Sequence, residues 1–437
     1  MVTNKRVAII AGKYDGCGVS TYLFELQKAI NKYIGNCDYY VYDCPSYFTK
    51  RDYERMTEKN VKLITRTNAS LINDNYDVVF AGYHVVRCQV TEEEARGYYD
   101  MFTFDLNKPK TVLVFNEHRP SSILRHYAYN TVNDYCLSLD FLYSFDKIMH
   151  FGNNTTTSVF LRDLMGDAEY LKRFAPLYLL YEFDDSKKNW VSAENKIRNI
   201  TYLGRPALFK DSHRLIRMNK WLQDKNFSVE MRGLGLKSTV ENLPDFVYKD
   251  NGNYGVDKTK LSDVTVWFDT DKPEIAEQFD VYEMLNIPFN ERNGKIYCYG
   301  SYDRDEVYKH VNKIMYACDF FNLPHLEDYA YQTCEYCMCE FIDNGIIPVL
   351  DYDYGNHCLL MENAELTNTN MIVACMGIFV KKDLSNIDKA ILKMESIAAD
   401  KNSYETFRNK CFESWKKHTD PKAIITKLFN DIYNELH

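Results

Sequence analysis

The chain has 437 residues, of which 46% are hydrophobic and 26% are charged, so it is long enough to bury more than one core. It contains no apolar run of the roughly 18 residues that cross a membrane, and Lys5-Arg6 leads straight into an apolar stretch too short for a signal-peptide core. We therefore expect a two-domain cytoplasmic protein without a membrane partner.

The charged residues are distributed unevenly along the chain. The formal net charge is −9; residues 1–196 hold 24 basic and 25 acidic side chains, against 29 and 37 in the remainder. A polyanionic partner would thus prefer the N-terminal half.

The 13 cysteines are predicted to be reduced thiols. Cys334, Cys337 and Cys339 lie close together, but no second pair completes a zinc site.

The N-terminal half alternates apolar strand-like runs with amphipathic segments. Apolar residues between the first two runs recur every three or four positions, which is typical of a helix face. Strands that alternate with helices predict a parallel, doubly wound sheet. The predicted strands are Val7–Ala11, Tyr39–Tyr42, Val61–Thr65, Val78–Gly82, Val112–Asn116 and Lys147–Gly152.

A second α/β unit follows the polar stretch Glu182–Glu194. We predict an N-terminal domain over residues 1–190, a C-terminal domain over 197–400, and terminal helices over 401–437 that pack back on the first domain. The last helix should break near Asp420-Pro421. The predicted strands are Ile200–Leu203, Val229–Met231, Lys295–Tyr299, Ile346–Leu350 and Met371–Cys375, with helices at Asp211–Gln223, Arg304–Tyr316, Tyr329–Asn344 and Ile387–Ala399.

A glycine-rich loop, Gly12–Thr21, joins the first strand to the first helix. Glycines allow close backbone approach, and free amides at the start of a helix bind anions. A phosphate-loop ATPase needs Lys directly before Ser or Thr, but here Val19 precedes Ser20. The loop is therefore either part of another phosphate site or a turn without a ligand.

The turn Leu203–Asp211 follows the first strand of the second domain. Arg205 and Lys210 bracket this turn, where a guanidinium and an ammonium can hold two neighbouring phosphates. The alternative is a pair of surface cations that flank a turn.

The segment Cys334–Val349 predicts a mostly apolar helix closed by Gly345 and followed by a buried strand. It carries two carboxylates, Glu335 and Glu340, among mostly apolar residues. Because such carboxylates are costly without a partner, we expect a ligand hydroxyl or a cation beside them.

Together these features resemble the GT-B sugar-nucleotide glycosyltransferases, and more narrowly the DNA α-glucosyltransferases of T-even phages. The similarity is carried by Asp15–Val19, Leu203–Asp211 and Glu335–Val349, and by the spacing of the terminal helices. The resemblance implies two Rossmann-like, doubly wound domains that face each other across a cleft. It also implies a retaining transfer of a sugar, glucose first, from a UDP-sugar to a hydroxymethylated pyrimidine, hydroxymethylcytosine first, in duplex DNA of a phage.

The resemblance assigns donor roles to six residues. Arg205 and Lys210 would grip the diphosphate, Glu340 the uridine ribose, and Glu335 the sugar hydroxyls. Gly16 and Gly18, in the other domain, would border the phosphate and the sugar.

The acceptor side departs from the family pattern. At the end of the strand Val112–Asn116 the phage enzymes have an Asp flanked by histidines, whereas this chain continues with Glu117, His118 and Arg119. Glu117 or His118 could manage the proton of the acceptor hydroxyl; alternatively, this group is a charge cluster paired with Arg119. A DNA acceptor needs donors for its phosphates and access to the base, for which the candidates are Arg119, Arg125, His126 and Asn154.

Two Asp-x-Asp strings, Asp269-Thr270-Asp271 and Asp351-Tyr352-Asp353, resemble the metal ligands of a different glycosyltransferase class. The two-domain pattern favours loop acids instead, so we predict that no metal is required. Two other functions remain open. One is the same fold acting on a cell-surface glycan or protein, and the other is a nucleotide-binding module without chemistry.

Overall fold

We describe the protein from a computed structural model. The structure describes residues 4–12, 18–82, 91–115, 138–150, 156–188, 190–203, 212–232, 247–250, 253–256, 265–269, 272–278, 296–299, 308, 311–320, 336–351, 373–374 and 377–433.

The first sheet is parallel throughout, with the order β3-β2-β1-β4-β5-β6-β7. It begins in the middle at β1, extends one way through β2 and β3, and then returns to β4 to extend the other way, which is the predicted doubly wound order. Its strands are β1 (Lys5–Ala11), β2 (Gly35–Tyr42), β3 (Lys62–Ile64), β4 (Val78–Gly82), β5 (Lys110–Val114), β6 (Lys147–His150) and β7 (Phe174–Pro176).

Helices cover this sheet, and the central strands are accordingly apolar on both faces. All residues of β4 are fully buried, as are Val7–Ala11 of β1. Side chains Leu23, Leu26 and Ile30 form the predicted buried face of the first helix. The helices are α1 (Gly18–Tyr33), α2 (Lys50–Glu58), α3 (Ala69–Asn75), α4 (Glu92–Asp100), α5 (Leu139–Tyr143), α6 (Thr156–Met165) and α7 (Asp167–Arg173).

The second sheet has the order β13-β12-β14-β9-β8-β15-β16-β18-β17. The pairs β12-β13 and β17-β18 are antiparallel and the rest are parallel, while β10 and β11 form a separate hairpin. The strands are β8 (Ile197–Leu203), β9 (Ser228–Arg232), β10 (Val247–Asp250), β11 (Asn253–Val256), β12 (Thr265–Asp269), β13 (Lys272–Gln278), β14 (Ile296–Tyr299), β15 (Ile314–Asp319), β16 (Ile347–Asp351), β17 (Val373–Ala374) and β18 (Gly377–Val380).

Five further helices are described: α8 (Ser212–Asp224), α9 (Tyr336–Asp343), α10 (Ile387–Ala399), α11 (Lys401–His418) and α12 (Pro421–Tyr433). The last two confirm the predicted break before Pro421. Among the described residues, no helix has both the length and the apolar character needed to cross a membrane.

The predicted helix Arg304–Tyr316 is wrong at its end, because residues 314–316 belong to β15. This strand lies between β8 and β16, and every residue of it is buried. A short run that is buried on both faces has no periodicity to separate a strand from a helix. The sequence therefore did not indicate one of the central strands of the second sheet.

Residue contacts divide the chain into two compact units. Of the described residues, the first unit contains those up to Glu182 and from Thr419 onward, and the second contains those from Phe183 to His418. Helix α11 thus belongs to the second unit, whereas α12 packs on α1 in the first. The domain boundaries taken from the sequence stay a prediction.

Candidate functional site

The second sheet reverses its direction of growth between β8 and β15. From β8 the chain adds β9 and β14 on one side, and then crosses to add β15, β16 and β18 on the other. Open α/β sheets bind ligands beyond the carboxyl ends of their strands at such a switch point. In this unit the switch point lies beyond Leu203 and Asp319, the last residues of β8 and β15.

Helix α9 begins beside this point. The Sγ atom of Cys337, in its first turn, lies 3.9 Å from the carbonyl oxygen of Leu203. Leu203 is the first residue of the predicted diphosphate turn, whose cations Arg205 and Lys210 lie outside the described residues. The structure therefore brings the glutamate-bearing helix to the place where that turn begins.

Glu340 lies in α9 with only 9% of its surface exposed. The hydroxyl of Tyr308 donates a hydrogen bond to its Oε2 atom, and the Tyr308 ring packs edge-on against Phe341 at 5.9 Å between ring centroids. The sequence predicted a ligand hydroxyl or a cation beside this carboxylate, whereas the structure places the hydroxyl of a protein side chain there. A carboxylate has about four lone-pair sites, so it can accept hydrogen bonds from more than one hydroxyl.

The end of α9 is fixed by its sequence. Gly345 has φ of 71°, its amide donates to the carbonyl of Ile342, and the amide of Ile346 donates to that of Phe341. These two bonds form a Schellman motif, which requires a left-handed residue that glycine adopts at little cost. The predicted closure of the helix at Gly345 is confirmed.

A buried ion pair lies at the same edge of the second sheet. Arg214, near the start of α8, places Nη2 2.7 Å from Oδ2 of Asp351, the last residue of β16, and both side chains are essentially inaccessible. Its Nη1 donates to the carbonyl of Val380 at 3.0 Å, and the guanidinium lies over the ring of Phe320 at 4.7 Å. The carboxylate of Asp351 is therefore neutralised by an arginine within the protein.

Asp351 is also the first residue of one of the two Asp-x-Asp strings that resemble metal ligands. Its pairing with Arg214 supports the interpretation of a structural acid. Asp269 ends β12, while Asp271 and Asp353 lie outside the described residues. Within the described ranges, no group of three or more His, Cys, Asp and Glu side chains could hold a metal ion.

The first sheet has its own switch point, between β1 and β4. Strand β1 ends at Ala11 and α1 begins at Gly18, as predicted for the strand and the helix on either side of the glycine-rich segment, whose residues 13–17 lie outside the described residues. Strand β5, which pairs with β4, ends at Val114, so the chain leaves this same edge toward Glu117. In a parallel sheet the carboxyl ends of β1 and β5 lie at the same edge, so both strands end where the predicted acceptor segments begin.

Tyr22 lies one turn into α1 and is almost fully buried. Its hydroxyl has no hydrogen-bond partner among the described residues, and burial raises the pKa of this group above its usual range. The hydroxyl therefore stays protonated at neutral pH and can donate a hydrogen bond.

Two of the predicted site residues, Gly18 and Glu340, fall in the described part of the chain. Gly18 is the first residue of α1, and Glu340 lies in α9. The others lie outside the described residues: Gly16, Glu117, His118, Arg119, Arg125, His126, Asn154, Arg205, Lys210 and Glu335.

Sequence reasoning missed Tyr308 and Arg214. Tyr308 belongs to the segment predicted as a helix, where its aromatic ring reads as one more core residue. Arg214 follows the predicted cations by a few positions, yet its pairing depends on β16, which is distant in the chain. A buried cation requires a partner, but the sequence does not say which carboxylate provides it.

The structure of this chain is similar to solved structures of α-glucosyltransferases. An α-glucosyltransferase in complex with UDP and a 13-mer DNA containing an HMU base aligns with a TM-score of 0.69 and 15% identity, over 99% of this chain and 100% of that chain. An α-glucosyltransferase in complex with UDP-glucose and DNA containing an abasic site aligns over the same shares, with a TM-score of 0.69 and 14% identity. The chain has the GT-B fold.

A glycosyltransferase from Rickettsia africae aligns with a TM-score of 0.56 and 12% identity, over 99% of this chain and 100% of that one. No family model and no curated protein sequence matches the chain. The predicted resemblance to the α-glucosyltransferases is thus confirmed at the level of the fold, over the whole chain.

Proposed function

We propose that this chain is a UDP-sugar-dependent, retaining hexosyltransferase that transfers glucose to hydroxymethylcytosine in duplex DNA. The observation that carries the proposal is the similarity over the whole chain to α-glucosyltransferase structures that contain UDP or UDP-glucose together with DNA. Since the acceptor is DNA, the proposal places the enzyme in the cytoplasm, of the host cell if it is encoded by a phage.

The donor site in this proposal lies at the switch point of the second sheet. Arg205 and Lys210 hold the diphosphate, Glu340 the ribose, and Glu335 the sugar hydroxyls. The position of α9 beside the end of β8 supports this arrangement, because it brings the helix with Glu340 next to the start of the turn that carries the two cations.

The acceptor site lies at the carboxyl edge of the first sheet. Gly16 and Gly18 border the donor phosphate and sugar, and Glu117 or His118 takes the proton from the acceptor hydroxyl. The target base is read outside the duplex stack, while its backbone is held by side chains that follow β5 and β6. These side chains are Arg119, Arg125, His126 and Asn154.

The transfer breaks the bond between the anomeric carbon and the diphosphate oxygen, and forms one to the hydroxymethyl oxygen. Negative charge grows on the departing diphosphate, and Arg205 and Lys210 neutralise it, so the proposal requires no metal ion. The pairing of Asp351 with Arg214 agrees with this assignment, because that carboxylate already has a cation partner.

The decisive experiment uses three duplexes of the same sequence, which carry cytosine, hydroxymethylcytosine or hydroxymethyluracil at one position. Each is incubated with the protein and a panel of UDP-sugars, and the nucleosides are then weighed by mass spectrometry. We expect the mass of one hexose on hydroxymethylcytosine and no change on cytosine. Release of UDP without modified DNA would favour another acceptor, such as a glycan or a protein. Absence of any UDP-sugar binding would favour a module without chemistry.

The diphosphate turn has a matched pair of variants. Arg205→Ala should weaken UDP-glucose binding by about a hundredfold, since a bidentate contact to phosphate is lost. Arg198 lies at the opposite, amino end of β8, where its guanidinium lies over the Phe227 ring at 5.8 Å. Arg198→Ala should leave UDP-glucose binding unchanged in calorimetry. Equal binding by Arg205→Ala and the wild type would remove this turn from the donor site.

A further inference from the structure

In the proposed donor site Glu340 binds the ribose, whereas its hydrogen-bond partner Tyr308 has no assigned role. The tyrosine hydroxyl donates to Oε2 of the buried carboxylate, while its ring packs edge-on against Phe341, the next residue of α9. A rotation of the Glu340 side chain would therefore break a hydrogen bond to a charged group, which is one of the stronger kinds of hydrogen bond in proteins.

Tyr308 is itself held in place by the backbone that follows it. Its carbonyl accepts from the amide of Asn312 at 3.1 Å, and the buried ammonium of Lys196 donates to the carbonyls of Asn312 at 2.9 Å and Ile314 at 3.1 Å. Ile314 begins β15, one of the two strands at the switch point. The hydroxyl is thus positioned by a chain of contacts that ends in the sheet.

We propose that Tyr308 is a positioning residue for donor recognition, which orients the Glu340 carboxylate toward the ribose and makes the site selective for ribonucleotide over 2′-deoxyribonucleotide sugars. This inference rests on the proposed function, in which Glu340 binds the ribose. A carboxylate held in one rotamer loses little further side-chain entropy on binding. A site built to bind a hydroxyl discriminates against an analogue that lacks it, because its buried polar group then stays unpaired.

The test measures dissociation constants by calorimetry for UDP-glucose and for its 2′-deoxyribose analogue. The proteins are the wild type, Tyr308→Phe, Glu340→Gln and the double variant. Tyr308→Phe retains the ring that packs on Phe341 and removes only the hydroxyl. We expect about tenfold weaker binding of UDP-glucose, a smaller loss for the analogue, and therefore a narrower selectivity ratio. The double variant should bind no more weakly than Glu340→Gln alone.

Tyr316→Phe is the matched control, because the Tyr316 hydroxyl is buried in the same unit and donates to the carbonyl of Met394 at 2.7 Å. Its removal should lower the melting temperature without any change in the selectivity ratio. A purely structural role of Tyr308 would give the same result as this control, and would overturn the inference.

The outcomes separate the two proposals. If the wild type binds no UDP-sugar, the proposed function fails. If the wild type prefers the ribonucleotide sugar and Tyr308→Phe retains both its affinity and its selectivity, only the positioning role fails. Equal losses for the two ligands in Tyr308→Phe would also overturn the positioning role, since they would show that the hydroxyl does not act through the ribose.

Discussion

Lys196 carries a buried ammonium immediately before β8. It donates to two backbone carbonyls, its nitrogen lies 5.8 Å from the centre of the Tyr404 ring, and no salt bridge to it occurs among the described residues. Burial, and to a lesser degree the charge of Arg408, lowers the pKa of this group from 10.5 to about 7. The ammonium is therefore a source of pH-dependent stability in the second unit.

The direction of this pH dependence follows from the number of protons that the folded and unfolded states bind. Between the folded pKa of about 7 and the unfolded value of 10.5, the unfolded chain binds more protons than the folded one, so stability rises with pH. The gain is at most about 1.4 kcal/mol per pH unit for one proton. Below the folded pKa, both states are protonated and the cost of burying the charge is constant.

We predict that Lys196→Met removes this increase. Urea midpoints of the wild type, measured between about pH 6 and pH 9, should rise relative to those of the variant once the pH exceeds the folded pKa. Lys389, an exposed lysine of α10, provides the control, and Lys389→Met should run parallel to the wild type. Parallel curves for Lys196→Met would show that Lys196 does not titrate in this range.

At the scale of elements, α9 depends on how it ends. A Cβ atom on Gly345 would come within 2.5 Å of the Trp190 ring, and the Trp190 indole donates to the carbonyl of Asp343 at 2.8 Å. The glycine is therefore required twice, by its positive φ and by the close approach of the tryptophan. Both requirements bear on the helix that carries Glu340.

We predict that Gly345→Ala destabilises the second unit by more than the cost of backbone strain alone, which is about 1–2 kcal/mol. A Trp190→Ala background isolates that cost, because it removes the ring that a Cβ atom on Gly345 would meet. Urea unfolding of Gly345→Ala in both backgrounds gives the comparison. Equal losses in the two backgrounds would show that Trp190 yields to the added methyl group.

In the second unit, the sequence patterns predicted the end of one helix correctly and missed one strand. Gly345 marked the end of its helix correctly, because the Schellman motif is local and needs only a glycine after the last turn. Strand β15 was missed because it is buried on both faces and its partners in the sheet, β8 and β16, are remote in sequence. Tertiary contact overrides a weak local preference in such a segment.

At the scale of the whole molecule, the chain returns to its first unit after completing the second. Helix α12 packs on α1, and Phe429 is fully buried with its ring centroid 6.1 Å from that of Phe80 in β4. Strand β4 borders the switch point of the first sheet. The last helix thus supports the strand beside the predicted acceptor edge.

We predict that Phe429→Ala costs the first unit about 3–5 kcal/mol, as is typical of a truncated core aromatic. Hydrogen exchange should rise in peptides from β1 and β4, and remain unchanged in peptides from β8 and β15. Phe104→Ala is the control, since 63% of that side chain is exposed. A uniform rise across both units would contradict the assignment of α12 to the first unit.

The sequence by itself determined the features that are encoded locally. These are the two runs of alternating strands and helices, the break before Pro421 and the closure of α9 at Gly345, each of which depends on neighbours within a few residues. The pairings of Tyr308 with Glu340 and of Arg214 with Asp351, and the position of β15, were decided only by the tertiary structure. The physical reason is that a buried polar group must find a partner, while the folded chain, not the sequence pattern, determines which partner lies within reach.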